Sequence, residues 1–126
     1  MTTKETLMQQ TVVLLRERSK ESLRIAKQFV QQEKISSKPL QGALDYFVEE
    51  VFKDITQPGL LSLYCEAVGG KPDETIRAGA ALVLFVGAAD LHDDVIDGSE
   101  IKNQKPTVLG KFGKDVTVLA GDALLI

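Results

Sequence analysis

Apolar residues recur at three- and four-residue spacing along nearly the whole chain, and nowhere do they alternate long enough to argue a strand. From Lys4 to Glu33, Leu7, Leu14, Leu15, Leu23, Ile25, Ala26, Phe29 and Val30 stand among charges, which predicts a loosely amphipathic helix. Ser36-Ser37-Lys38-Pro39 interrupts it, and Pro39 suits the first turn of a second helix. That helix keeps Leu40, Ala43, Leu44, Phe47, Val48 and Val51 on one side. After Gln57-Pro58-Gly59, Leu60 to Val68 reads as a short buried helix closed by Gly69-Gly70. Pro72-Asp73-Glu74 opens a long apolar helix that runs to Asp97 and stops at Gly98. Gly98 to Pro106 reads as a polar loop, and Lys114 to Ile126 as a last helix. The expectation is an all-α chain forming a single unit over residues 1–126.

The long helix ends in acids. Asp90, Asp93, Asp94 and Asp97 occupy its last turns, where the helix dipole disfavours negative charge. Asp90, Asp93 and Asp97 are three and four apart, so like charges share one face. A bound divalent cation would reverse both penalties. Oxygen-only ligands suit Mg²⁺, which keeps waters and takes one or two carboxylates together with phosphate oxygens. Asp93, Asp94 and Asp97 are therefore the candidate metal ligands, and the apolar helix behind them directs them towards a cavity.

Composition narrows the field. The 126 residues are 44% apolar with net charge −3, enough for one domain core and not basic enough to suggest nucleic acid. A single cysteine, Cys65, excludes an internal disulfide and fits a reducing compartment. The N-terminus is polar, and no apolar run approaches the roughly 18 residues of a membrane span. A soluble, cytoplasmic protein is expected. Val116 to Ile126 ends on an apolar run with no polar tail. That ending suggests a fragment, or a subunit completed by another chain, hence a homo-oligomer or a heteromer.

His92-Asp93-Asp94-Val95-Ile96-Asp97, followed in order by Lys105-Pro106-Thr107, Phe112-Gly113 and Leu119-Ala120-Gly121-Asp122, resembles the trans-prenyl diphosphate synthases, or polyprenyl synthetases. The resemblance covers about residues 40 to 126. It implies an antiparallel helix bundle of the isoprenoid synthase type, of which this chain matches the N-terminal half. It also implies ionisation of an allylic prenyl diphosphate through Mg²⁺, then condensation with isopentenyl diphosphate. The aspartates Asp93, Asp94 and Asp97 match the first metal motif, and a second lies in a C-terminal half that this chain does not contain. The isolated chain is expected to be inactive. The helix face running back from the metal end should line the prenyl channel: Ala88 and Ala89 leave room, and Phe85, roughly 12 Å from Asp93 along the axis, could be its floor.

Departures from the family pattern cluster on the isopentenyl side. The basic stretch before the third helix is matched by Lys53-Asp54-Ile55-Thr56-Gln57-Pro58. Val86 stands where a His or Gln is expected, and the Arg-Arg-Gly after the aspartates reads Lys102-Asn103-Gln104. Lys102 keeps a charge that could meet the allylic diphosphate, whereas Asp54 in such a pocket would repel an anion. The allylic half thus reads as intact and the isopentenyl half as depleted. A prenyl-diphosphate cyclase, transfer to another acceptor, or a non-catalytic small subunit are the alternatives.

Overall fold

The computed structural model describes residues 2–126 and is mostly helical, with one two-stranded ribbon among the described residues. Helices α1 (Thr3–Gln32), α2 (Lys38–Tyr46), α3 (Thr56–Ala67), α4 (Ile76–Asp97), α5 (Val108–Phe112) and α6 (Lys114–Leu125) follow in order. Packing divides them into two compact units. Residues up to Ala26 and Asp54–Val83 form one, and Lys27–Lys53 with Leu84–Ile126 the other.

The first unit is closed by small residues. Ser19, Ser22 and Ala26 of α1, Pro58, Gly59 and Ser62 of α3, and Ala80 of α4 are buried. A Cβ at Gly59 would come 3.0 Å from the Leu15 carbonyl oxygen, so the residue's lack of a side chain sets how closely the backbones approach. Ser22 Oγ donates to the Ile76 carbonyl at 3.0 Å, and Arg18 forks onto Glu66 at 2.7 and 3.1 Å. Helix α3 begins at Thr56, four residues before the expected start. Pro58 sits in its first turn, where a missing N–H costs nothing. The Asp54 carboxylate accepts the Thr56 N–H at 2.8 Å, so it serves the helix start.

The second unit has the larger core. Leu44, Phe47, Val48 and Phe52 meet Leu91, Val108, Ala120 and Leu124, all buried. Phe47 and Phe52 pack edge to face at 5.4 Å. Ser37 caps α2, and Pro39 lies in its first turn as the sequence requires. The helix does not continue as α to Val51. Over Phe47–Val51 it widens into a π turn, closed where Phe52 N–H donates to the Phe47 carbonyl at 2.8 Å.

The expected loop after Gly98 is a small hairpin. Strand β1 (Ile101–Lys102) pairs antiparallel with β2 (Lys105–Pro106), with Lys102 opposite Lys105. Asn103 (φ 50°) and Gln104 (φ 65°) form the two-residue turn, both left-handed as a type I′ turn demands. Thr107 locks its base, donating from Oγ1 to the Ser99 carbonyl at 2.6 Å and accepting the Gly110 N–H at 3.1 Å to cap α5.

Candidate functional site

The site lies wholly within the second unit, at the C-terminal end of α4. Asp93 and Asp94 are adjacent, hence about 100° apart around the helix. Asp94 turns inward and is 4% exposed, whereas Asp93 and Asp97, one turn apart, are both exposed. The three aspartates do not converge on one cavity as expected. Among the described residues, no three ligating side chains are gathered for a metal ion. What the fold presents is a pair, Asp93 and Asp97, in solvent, and one buried carboxylate behind them.

Asp94 faces a cavity of about 290 Å³. Lys102, Asn103 and Lys105 reach it from the hairpin, and Tyr46, Glu50 and Lys53 from the end of α2 and the segment after it. Val51, Pro106 and the Tyr46 ring supply apolar surface. The volume is at the small end for ligand pockets, ~300–1,000 Å³.

Two ion pairs shape it. Lys102 Nζ lies 2.5 Å from the buried Asp94 Oδ1. The Asp94 carboxylate holds Lys102 above the ordinary lysine range. Burial opposes the shift, and Asp90 and Asp97 add to it. Lys105 donates to Glu50 Oε2 at 2.8 Å, which keeps Glu50 below the usual carboxylate range and Lys105 above the usual lysine range. The Tyr46 hydroxyl donates to the Pro106 carbonyl at 2.7 Å, tying α2 to β2.

The other expected positions separate by face. Phe85 and Ala89 lie on an exposed strip of α4 with Asp93, four residues apart, and Phe85 is 62% exposed. Ala88 is buried in the core, so it does not share that strip. Lys102 is in the site, as expected. Tyr46 and Glu50 carry no signal in the sequence as site residues, and Lys105, though part of a motif, is not marked as one, because their proximity depends on pairing between segments some 55 to 60 positions apart. His92, next to Asp93, is held by α6: its Nε2 lies 3.2 Å from the Val118 carbonyl and 3.3 Å from Asp122 Oδ1. The His92–Asp122 contact accounts for the Leu119-Ala120-Gly121-Asp122 motif in structural terms.

A model of the polyprenyl synthetase family matches residues 37–126. The chain belongs to the polyprenyl synthetase family. It is 38% identical over 68 residues to a short chain isoprenyl diphosphate synthase of Methanothermobacter thermautotrophicus, covering 54% of this chain and 21% of that protein. It is 39% identical over 71 residues to large subunit 1 of a heterodimeric, chloroplastic geranylgeranyl pyrophosphate synthase of Arabidopsis thaliana, covering 55% and 19% respectively. A chloroplastic geranylgeranyl pyrophosphate synthase of Capsicum annuum is 37% identical over 71 residues, 55% of this chain and 19% of that protein. The chain thus spans about a fifth of the length of the curated relatives it matches. As a polyprenyl synthetase relative it shares an all-α architecture, and no helix among its described residues is long and apolar enough to cross a membrane.

Proposed function

We propose that this protein acts in prenyl transfer, holding an allylic prenyl diphosphate by its headgroup at the C-terminal end of α4. The observation that carries the reading is the cavity itself. Lys53, Lys102 and Lys105 converge there from two separate segments, directly behind the exposed pair Asp93 and Asp97. A diphosphate carries several negative charges, and lysines supply point-charge contacts to its oxygens.

The donor set fits Mg²⁺. Asp93 and Asp97 offer oxygen ligands one helical turn apart in solvent, the one or two carboxylates this ion takes when phosphate oxygens complete its shell. When bound there, Mg²⁺ would neutralise charge developing on the departing diphosphate. The chain's own residues do the rest: Asp93 and Asp97 anchor, Lys102 and Lys53 orient the headgroup, and the exposed Phe85–Ala89 strip offers an apolar track for the prenyl tail. Isopentenyl diphosphate is the proposed acceptor. Lys53 and Lys105, with Asn103, supply cations on the side where the family pattern is depleted, and Asp54, engaged at the start of α3, is accounted for without a repulsive role.

A second reading keeps the allylic site but not isopentenyl addition, as in a cyclase, transfer to another acceptor, or a subunit working with a partner. It is favoured by Val86 and Asn103, where the family resemblance leads one to expect hydrogen-bonding or basic groups. Calorimetry with Mg²⁺ and geranyl diphosphate, then with isopentenyl diphosphate, separates the two. Micromolar binding of geranyl diphosphate that Asp93→Asn and Asp97→Asn abolish is expected, together with labelled isopentenyl diphosphate binding that Lys53→Ala weakens. Unchanged geranyl diphosphate binding in both aspartate variants would overturn the site. Failure of isopentenyl diphosphate alone to bind would select the second reading.

A further inference from the structure

We propose that the N-terminal end of α1 is a self-pairing surface: two copies of this chain dock antiparallel through the face that carries Leu7, Thr11 and Leu14. The inference is independent of the diphosphate site proposed above and uses residues of the first unit alone.

Helix α1 is built further than it is covered. Among the described residues, every one from Thr2 to Leu14 is exposed, and Leu15, lying against Gly59, is the first that another element shields. The stretch from Thr3 to Leu14 is about 18 Å of helix. So short a helix is marginal in water on its own and gains its stability from an apolar face packed on something. Its start is nonetheless secured. Thr2 N–H donates to Glu5 Oε2 at 2.7 Å and Glu5 N–H to Thr2 Oγ1 at 3.3 Å, a reciprocal cap. The apolar face is present too. Met8, Val12 and Leu15 follow one another at four- and three-residue spacing and lead straight on to the buried Ser19, Ser22 and Ala26. Leu7, Thr11 and Leu14 form the row beside them, and Leu7 and Met8 are each 62% exposed.

The charges select the occupant. Two copies laid antiparallel about a two-fold axis between Gln10 and Thr11 bring Leu7 level with the partner's Leu14, Lys4 level with the partner's Glu17, and Glu5 level with the partner's Arg16. Lys4, Glu5, Arg16 and Glu17 are the only charged residues from Lys4 to Glu17, and each lies level with an opposite charge. In a parallel pair in register each would face its own kind, which costs stability. The four charges also cancel, so the segment offers an anionic lipid surface no net attraction. A second copy therefore fits this face better than a membrane does. The paired stretch is short, below the size of a standard protein interface, so the association is reversible and concentration-dependent.

Sedimentation velocity of the purified chain across the micromolar range is expected to show a monomer–dimer equilibrium. Leu7→Gln combined with Leu14→Gln should weaken dimerisation about tenfold or more. Both residues are exposed, so the dilute monomer should keep its melting temperature. Arg16→Glu, which sets an acid level with the partner's Glu5, should weaken the dimer as well. Cross-linking tests the direction of pairing. In a Cys65→Ser background, Leu7→Cys and Leu14→Cys proteins mixed together should form a disulfide-linked pair faster than either does with itself. Two copies of the same position would lie about 10.5 Å apart along the axis, too far for that bond. If Cys65→Ser does not fold, the glutamine double variant still decides. A wild-type chain that stays monomeric throughout overturns the proposal, as does a dimer that the glutamine pair leaves unchanged. Self-linking as fast as the mixture overturns the antiparallel register. A monomer that instead binds anionic phospholipid vesicles, and loses them with the glutamine pair, would give this face to a membrane and overturn the proposal too.

Discussion

The hydroxyl of Tyr46 donates to the carbonyl of Pro106 at 2.7 Å, across 60 positions of sequence. This bond joins the end of α2 to β2, one strand away from Lys102, so the placement of a candidate ligand-binding lysine depends on an aromatic residue in another segment.

Tyr46→Phe removes that hydrogen bond and leaves the ring in place. Pro106 is exposed and water can replace the donor, so the cost should be at the lower end of the usual ~0.5–1.5 kcal/mol. Urea unfolding measures it. The more telling readout is weaker binding of pyrophosphate with Mg²⁺, and unchanged binding would show that the hairpin keeps its place without this bond.

Gln104 adopts a conformation that favours glycine. A left-handed residue with a side chain is penalised by roughly 1–2 kcal/mol, while glycine costs roughly 0.5–1 kcal/mol in chain entropy. Gln104→Gly should therefore stabilise the protein by about 0.5–1 kcal/mol, seen as a higher melting temperature. A lower one would mean that the Gln104 side chain makes a compensating interaction.

Five of the six helices among the described residues could be read from the sequence because each has either a strong period or clear punctuation; the five-residue α5 could not. The apolar run ending at Asp97 and Gly98 set the end of α4 to the residue, and Pro39 located the start of α2. The hairpin could not be read in this way. Each strand has two residues, too few for alternation, and Asn103-Gln104 lacks the glycine that usually marks such a turn. The site was half legible. Spacing brought the aspartates to one helix end, but adjacent residues point about 100° apart, so the burial of Asp94 depended on what packs there. Glu50 and Lys105 meet only through tertiary pairing.

That pair should give the hairpin a pH dependence. Glu50 titrates below its usual 4.5, chiefly through the hydrogen bond from Lys105. A carboxylate whose folded value is depressed stabilises the fold above its unfolded value, and that contribution is lost as pH falls through the folded value. Amide exchange at Ile101, Lys102 and Lys105 should therefore accelerate as pH falls below about 4.5, after correction for intrinsic rates, and Glu50→Gln should abolish the difference. At the alkaline end, Lys105 titrates above its usual 10.5, so its contribution fades only as pH rises beyond that value.

Gly121 lies against the His92 ring, and a Cβ there would overlap the imidazole. Gly121→Ala must displace His92 and with it the start of the aspartate segment. Overpacking of this kind costs about 1–3 kcal/mol. Denaturant unfolding should register that loss, and Mg²⁺-dependent pyrophosphate binding should weaken alongside it. Full retention of both would show that α6 shifts freely.

The π turn at Phe47–Val51 carries a genetic implication. A π turn holds one residue more than an α turn, so it has the form that a single-codon insertion leaves inside a helix. Removing one codon there would let the turn close as α-helix while the segments on either side keep their relative orientation, because the turn absorbs the extra residue locally. Were Glu50 the residue removed, Lys105 would lose its partner, while Lys53, beyond the turn, would keep its place at the cavity. The charge balance behind the aspartates is thus one in-frame deletion away from changing, with every aspartate still in place and every motif still recognisable.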